Sequence, residues 1–446
     1  MWLWALGALL GLKDAVRAED FPLRISQDRR YLETAEGRPF LVVGDTAWSL
    51  IAQLREEEVV EYLDDRRARG FNAIIVNLIE HKFAERAPAK LDGEPPFLAD
   101  GDFSRPNPRY FSYAHWVVEA AHLRGISVWL CPAYLGWDGG DEGFFREVKA
   151  AGPRVLRAYG RYVGERFRDL PNVVWMAGGD YALPESERWT GHELAAGIRE
   201  GGASQLMTAH GGQTSAVATF GDASWLDIET VYSYRPDLWK EFRAAYRQVP
   251  VRPFVLIEST YEGEHGAPPE RIRRQAWWGL LNGACGQFFG NNPIWYFDGP
   301  GFVHMRSAPS WREALGLAGS RDTSRLGRFF ATLPWHELVP DLDGRLVVGG
   351  AGDDSAKAVA AHTADWRLAV VYIPADGSSR RELTLDLSRF EGGVAGRWFN
   401  PAAEGGEAPA VGSLSAGRMQ KLLTPGDNGT GASDWVLVLE SRQAGN

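Results

Sequence analysis

Val173-Val-Trp-Met-Ala-Gly-Gly-Asp180 is an unbroken run of apolar and small residues that ends on a carboxylate. No polar residue alternates through it, so the run predicts a strand buried on both faces, as in a parallel sheet covered by helices. Phe254-Val-Leu-Ile-Glu258 has the same form, and Ala73-Ile-Ile-Val76 repeats its apolar part. Working outward from these, eight such segments are legible: Phe40–Trp48, Phe71–Ile79, Ile126–Tyr134, Asn172–Asp180, Leu206–Gly212, Leu226–Ser233, Pro253–Thr260 and Gly286–Asn291. Amphipathic helical patterns separate them. Strand and helix alternating eight times predict an α/β fold, a (β/α)8 TIM barrel.

The helices carry their own signals. Tyr113, Trp116, Val117, Ala120 and Ala121 make one apolar stripe, followed by Arg124 and a terminating Gly125. Glu56-Glu-Glu58 opens a helix over 56–69 that Gly70 closes. Pro153 reads as the first turn of a third helix. The segment from about 80 to 110 is rich in Pro, Gly and charge. As a long βα loop, it belongs to the C-terminal face where barrel enzymes place their sites. Beyond about residue 334 the helical period disappears. Ala358–His362, Leu368–Ile373, Leu383–Leu387, Gly393–Phe399 and Trp435–Glu440 read as short strands of a small all-β sandwich. At the other end, Met1–Leu12 is mostly apolar and a Val-x-Ala site follows at Val16–Ala18. Residues 1–18 are therefore expected to be a secretory signal peptide, with export from the cytoplasm to the periplasm or beyond. The organisation expected is leader 1–18, barrel 19–333 and β-sandwich 334–446.

Composition narrows the function. The net charge is −10 and no basic stripe appears, which argues against nucleic acid as a partner. The leader is too short to insert stably in a bilayer, and no other stretch is apolar for long enough. Cys131 and Cys285 stand apart from each other and from histidine clusters, so they read as buried free thiols. No His-x-His or similar spacing marks a metal site, and nothing calls for a cofactor. There are 18 tryptophans, whose flat faces serve both core packing and stacking on sugar rings.

In a barrel, polar residues at the C-terminal ends of strands face the site. Asp180 and Glu258 end the fourth and seventh candidate strands, which oppose each other across the mouth. Two carboxylates so placed suit glycoside hydrolysis: one protonates the leaving oxygen, while the other attacks the anomeric carbon or activates water. A buried acid paired with an arginine would look the same in sequence. Other strand ends offer sugar-binding groups: Asp45 and Trp48, Asn77 and His81, Tyr134, His210, Tyr232 and Tyr234, Asn291 and Trp295. Asp45 could equally cap the first turn, His210 sit satisfied in the core, and Trp295 serve packing. Glu229, inside the sixth strand, reads as a hydrogen-bonding partner within the barrel.

Gly44-Asp-Thr-Ala-Trp48, Arg69-Gly-Phe-Asn72, Trp175-Met-Ala-Gly-Gly-Asp180 and Ile257-Glu258 together resemble the apiosidase-like group, glycoside hydrolase family 140. Pro334-Trp335, Leu338-Val-Pro-Asp341, Val371-Tyr-Ile373 and Trp398-Phe-Asn-Pro401 resemble its small C-terminal β domain, once given a collagen-binding label. The resemblance covers nearly the whole chain after the leader. It implies Asp180 as acid/base and Glu258 as nucleophile in a retaining cleavage of a β-linked apiofuranosyl residue of pectin. Many related barrel glycosidases carry Asn-Glu after the fourth strand, and Gly179-Asp180 here sides with the apiosidase-like group. Set against this are a glycosidase of other sugar specificity, a carbohydrate-binding barrel without catalysis, and a metal-dependent hydrolase. The presence of both acids disfavours the second, and the absence of clustered ligands disfavours the third.

Overall fold

The computed structural model describes residues 16–301, 309–403 and 410–442; most of the expected leader, residues 1–15, lies outside them. A short antiparallel sheet (Arg24–Ile25, Leu32–Glu33, Pro39–Phe40) precedes the barrel. The eight barrel strands are β1 (Val42–Thr46), β2 (Ala73–Asn77), β3 (Ser127–Cys131), β4 (Val173–Gly178), β5 (Met207–His210), β6 (Glu229–Tyr232), β7 (Phe254–Glu258) and β8 (Gly286–Phe289). Each lies within its expected segment. They pair in parallel in the order β5-β4-β3-β2-β1-β8-β7-β6. At the seam, threonine hydroxyls bridge β5 and β6: Thr208 donates to the carbonyl of Ile228 and Thr230 to that of Ala209, both at 2.9 Å.

Alternation along the strands divides the side chains into two layers. Val42, Ala73, Ile75, Trp129, Cys131, Val174, Met176, Val255, Ile257 and Phe288 fill the barrel interior. Ile74, Val76, Val128, Leu130, Val173, Trp175 and Ala209 pack outward against the helices. Both cysteines are buried and free, and burial pushes the Cys285 thiol up to about 12.

The main helices are α1 (Glu56–Ala68), α2 (Pro108–His122), α3 (Phe145–Phe167), α4 (Trp189–Glu200), α5 (Trp239–Arg247), α6 (Pro269–Leu281) and α7 (Ala318–Ala331). Pro153 lies inside α3 rather than at its start. The chain is already helical from Phe145, breaks at Gly152 (φ +79°), and restarts at Pro153, whose missing N–H costs nothing at a first turn. No helix among the described residues is long and apolar enough to cross a membrane.

Nine antiparallel strands follow: β9 (Leu338–Pro340), β10 (Val347–Gly349), β11 (Val359–Thr363), β12 (Leu368–Ile373), β13 (Glu382–Asp386), β14 (Gly393–Phe399), β15 (Ala410–Ser415), β16 (Met419–Leu423) and β17 (Trp435–Arg442). They form a six-stranded sheet, β9-β11-β12-β17-β14-β15, and a three-stranded sheet, β10-β13-β16. The first sheet packs on α6. Trp277 stacks on Tyr372 at 5.7 Å with ring planes 7° apart, and the Trp278 indole N–H donates to the carbonyl of Lys357. Between these layers, the Arg273 guanidinium forks onto Asp434 at 2.9 and 2.7 Å and reaches Asp322 at 2.9 Å, all buried.

Candidate active site

Two local devices aim the carboxylates. After β4, Gly178 (φ +91°) and Gly179 (φ +156°) turn the chain at the mouth. A Cβ on Gly178 would stand 2.2 Å from the carbonyl oxygen of His210, and one on Gly179 would meet the amide of Leu135 and the ring of Tyr134. Only glycine passes there, and the turn delivers Asp180 to the rim. In β7, strict alternation would send Glu258 outward, because Ile257 already faces the interior. A register shift against β6 between Leu256 and Glu258 adds half a period to the strand. Bulges re-aim side chains in this way beside active sites.

Glu258 is held at both oxygens. Oε2 lies 2.8 Å from His210 Nε2, and Oε1 accepts from the Tyr234 hydroxyl at 3.1 Å. His210 is fully buried, and its Nδ1 faces the carbonyl of Gly211 at 3.0 Å. A carbonyl only accepts, so Nδ1 carries a proton. Nε2 faces Glu258 Oε2, a contact that favours the imidazolium. Burial works against that charge, yet the hydrogen bond and charge of Glu258, with Asp180 behind it, raise the His210 pKa overall.

Asp180 is half-buried and takes a hydrogen bond from the Tyr232 hydroxyl. Burial first, then the charge of Glu258, push its carboxyl up to about 7, against the pull of His210. Near neutral pH it is therefore available as a proton donor. Rings close around the pair: Trp48 contacts Tyr134 at 5.8 Å and His210 at 5.5 Å, and Tyr232 contacts His210 at 5.2 Å and Tyr234 at 5.6 Å.

The remaining expected residues divide. Trp295 lies in the same layer as Trp48, with Phe83 of the long β2–α2 loop edge-on to it at 4.9 Å. Asn77 ends an inward-facing register of β2; its amide donates to Glu80 at 3.3 Å, and its Oδ1 is buried with no partner among the described residues. Three are committed elsewhere. Asp45 falls on the outward register of β1 and meets Tyr62 at 2.9 Å and Arg66 at 3.1 Å under α1. Burial lifts its carboxyl to about 6 against the pull of Arg66. Asn291 is fully buried, and its amide donates to Glu262. His81 is pinned between Glu147 (3.2 Å) and the ring of Phe144. Glu229 caps the short helix Ala216–Phe220, accepting from the amides of Ala216 and Val217.

The site also contains residues that lie beyond the strand ends. Glu264 is buried beside Glu258 and accepts from the indole of Trp295 at 3.1 Å. Burial and the charge of Glu258 push its carboxyl up to about 7. Tyr261 accepts from the Trp48 indole at 3.0 Å. The signal in the sequence is Tyr261-Glu-Gly-Glu264 directly after β7, which lies beyond the acid that ends the strand.

Comparison with known proteins follows the same division. Residues 26–337 match the family model described as apiosidase-like, catalytic domain, and residues 339–440 match one described as "Putative collagen-binding domain of a collagenase". No curated protein matches the chain. Among solved structures, one described as a glycoside hydrolase superposes with a TM-score of 0.82 at 23% identity, covering 96% of this chain and 98% of its own. A glycoside hydrolase family 5 protein from Bacteroides vulgatus gives 0.79 at 23% identity, covering 96% and 95%. At these identities the superpositions speak for the fold. The family model carries the rest: the chain belongs to the apiosidase-like family and is a glycoside hydrolase.

Proposed function

We propose that the enzyme cleaves a β-linked apiofuranosyl residue of plant pectin with retention of configuration, outside the cytoplasm after loss of its leader. The observation that carries this reading is the pairing of Asp180, lifted to about 7, with Glu258, clamped by His210 and Tyr234. In the first step a Glu258 oxygen bonds to the anomeric carbon as the bond to the leaving oxygen breaks. The Asp180 proton goes to that oxygen. In the second, Asp180, now a carboxylate, takes a proton from water. The water oxygen bonds to the anomeric carbon and Glu258 leaves as carboxylate.

The electrostatics support the exchange of roles. Glu258 is the strongest charge raising Asp180. Once Glu258 is an ester that charge is gone, so the Asp180 pKa falls as its task changes from acid to base. The Trp48–Tyr134–Trp295 layer supplies flat faces for the sugar. The sugar itself is the finer claim, and it rests on family membership.

The test is turnover of an aryl β-apioside and of pectin fragments. Asp180→Asn and Glu258→Gln should each remain folded and lose turnover by at least about 1000-fold. Azide added to Glu258→Ala should return activity as a glycosyl azide of inverted configuration, and added to Asp180→Ala as one of retained configuration. Equal turnover in either acid variant would refute the roles. Turnover of other aryl glycosides with none of the apioside would refute the sugar.

A further inference from the structure

The segment that follows β7 is tied to the end of β8. The Glu262 amide donates to the carbonyl of Gly290 at 2.9 Å, and its carbonyl accepts from Asn292 at 2.8 Å. Its carboxylate accepts from the Asn291 amide at 2.9 Å and from the Gly319 amide at 2.7 Å. Gly263 (φ +85°) and His265 (φ +52°) then take the chain through the left-handed region. A Cβ on Gly263 would stand 2.7 Å from the carbonyl oxygen of Asn292. Left-handed backbone at a residue other than glycine persists only where the surroundings fix it. Between these two residues stands Glu264, buried and firmly placed.

The two oxygens of Glu264 differ. Oε1 accepts from the Trp295 indole at 3.1 Å. Oε2 has no partner among the described residues, yet it keeps the access to solvent that Asn77 Oδ1 lacks. The carboxyl responds to the charge of Glu258 and not to that of Asp180. Asp180 in turn responds to Glu258. Glu258 therefore lies between the other two acids. Burial and the charge of Glu258 hold the Glu264 carboxyl up at about 7, so its ionised form is disfavoured in the folded protein. The exchange of bonds and protons between Asp180 and Glu258 makes no use of it.

We propose that Glu264 is a specificity-determining residue whose Oε2 meets a hydroxyl of the transferred sugar, while Trp295 fixes the carboxyl. This rests on the reading of Asp180 as acid/base, which puts the leaving oxygen on one side of Glu258 and the transferred sugar on the other. A sugar with its own carboxylate on that edge would face Glu258 and Glu264 together, so the transferred sugar is neutral there. A site group left without its hydroxyl rejects the analogue that lacks it.

The test is a cycle of Glu264 variants against an aryl β-apioside and its analogues lacking one hydroxyl at a time. Glu264→Ala should lower kcat/KM about 100-fold, and Glu264→Gln, which keeps the shape and the bond from Trp295, about tenfold. One deoxy analogue should lose as much with the wild-type enzyme, and almost nothing further with Glu264→Ala. At about pH 8, where the buried carboxylate is costly, Glu264→Gln should melt no lower than the wild type. Losses that add for every analogue would overturn the contact. So would wild-type kcat/KM in Glu264→Ala, or a lower melting temperature in Glu264→Gln. Where another aryl glycoside is cleaved and the apioside is not, the same cycle on that glycoside tests the contact, and the sugar alone is refuted. A wild-type enzyme inert on every aryl glycoside would overturn both.

Discussion

Asp180 and Asp45 show why one residue type at equivalent strand ends does different work. Both are aspartates taken out of water at the end of a barrel strand. Asp45 falls on the outward register, where Arg66 and Tyr62 meet it under a helix. Asp180 follows a glycine turn and faces a second carboxylate, whose charge raises it against the pull of His210. The sequence announces the acids but not the parity of the strand, so Asp45 reads as a sugar ligand until the register is seen. Removing one partner of a buried pair leaves the other charge uncompensated. Asp45→Ala should therefore lose about 3 kcal/mol of stability in urea unfolding. The folded fraction should keep the wild-type KM. A variant as stable as the wild type would contradict the pairing. The opposite profile, full stability with lost turnover, belongs to Asp180→Asn.

Element by element, the strands were legible because a barrel stave excludes polar residues from both faces, and little else in a sequence does. The β7 bulge was not legible. It breaks no pattern in Phe254-Val-Leu-Ile-Glu258 and exists only as a shift against β6. Four strands of the C-terminal domain were missed for a related reason. Met419–Leu423 alternates between exposed and half-buried positions and Leu338–Pro340 contains a proline, so neither shows a clear apolar run. The committed roles of Asn291 and His81 were hidden too, because they depend on Glu262 and Glu147 from distant segments. The Gly178-Gly179 turn was visible as residues, but its necessity appears only with the carbonyl of His210 in place. Gly178→Ala should therefore strain the backbone and displace Asp180 together. The expected outcome is a drop in melting temperature of several degrees, about 2 kcal/mol, and a fall in kcat of about 100-fold. An alanine variant with wild-type kcat would show that the turn does not position the acid.

On the scale of the whole molecule, the β domain is fastened to the barrel rather than tethered. Trp277, Trp278, Phe329 and Phe330 of the barrel helices share one core with Tyr372, Val370 and Val438. The Arg273–Asp434–Asp322 cluster is buried within that contact. α6 is also the helix that follows the strand bearing Glu258, so the second domain braces the back of the βα unit that carries this carboxylate. Full-length protein should melt in a single transition. A chain ending at residue 333 should be insoluble or strongly destabilised, having exposed the Trp277 face. Arg273→Met should cost about 3–5 kcal/mol by stranding Asp434. Two separate transitions in calorimetry, or a soluble and fully active barrel alone, would contradict this view of the domain.

All of these scales converge on one quantity, the proton affinity of Asp180 in the presence of Glu258. Carbon-13 NMR of protein labelled at aspartate side-chain carboxyls, with Asp180→Asn to assign the signal, measures it directly. The wild-type resonance should titrate near pH 7, and in Glu258→Gln it should move down toward the ordinary aspartate range. Activity should fall as pH rises through the wild-type value, because the protonated form is the one that donates. An Asp180 signal titrating near 4 in both proteins would mean that the two carboxylates do not share a site as described, and the account would fail.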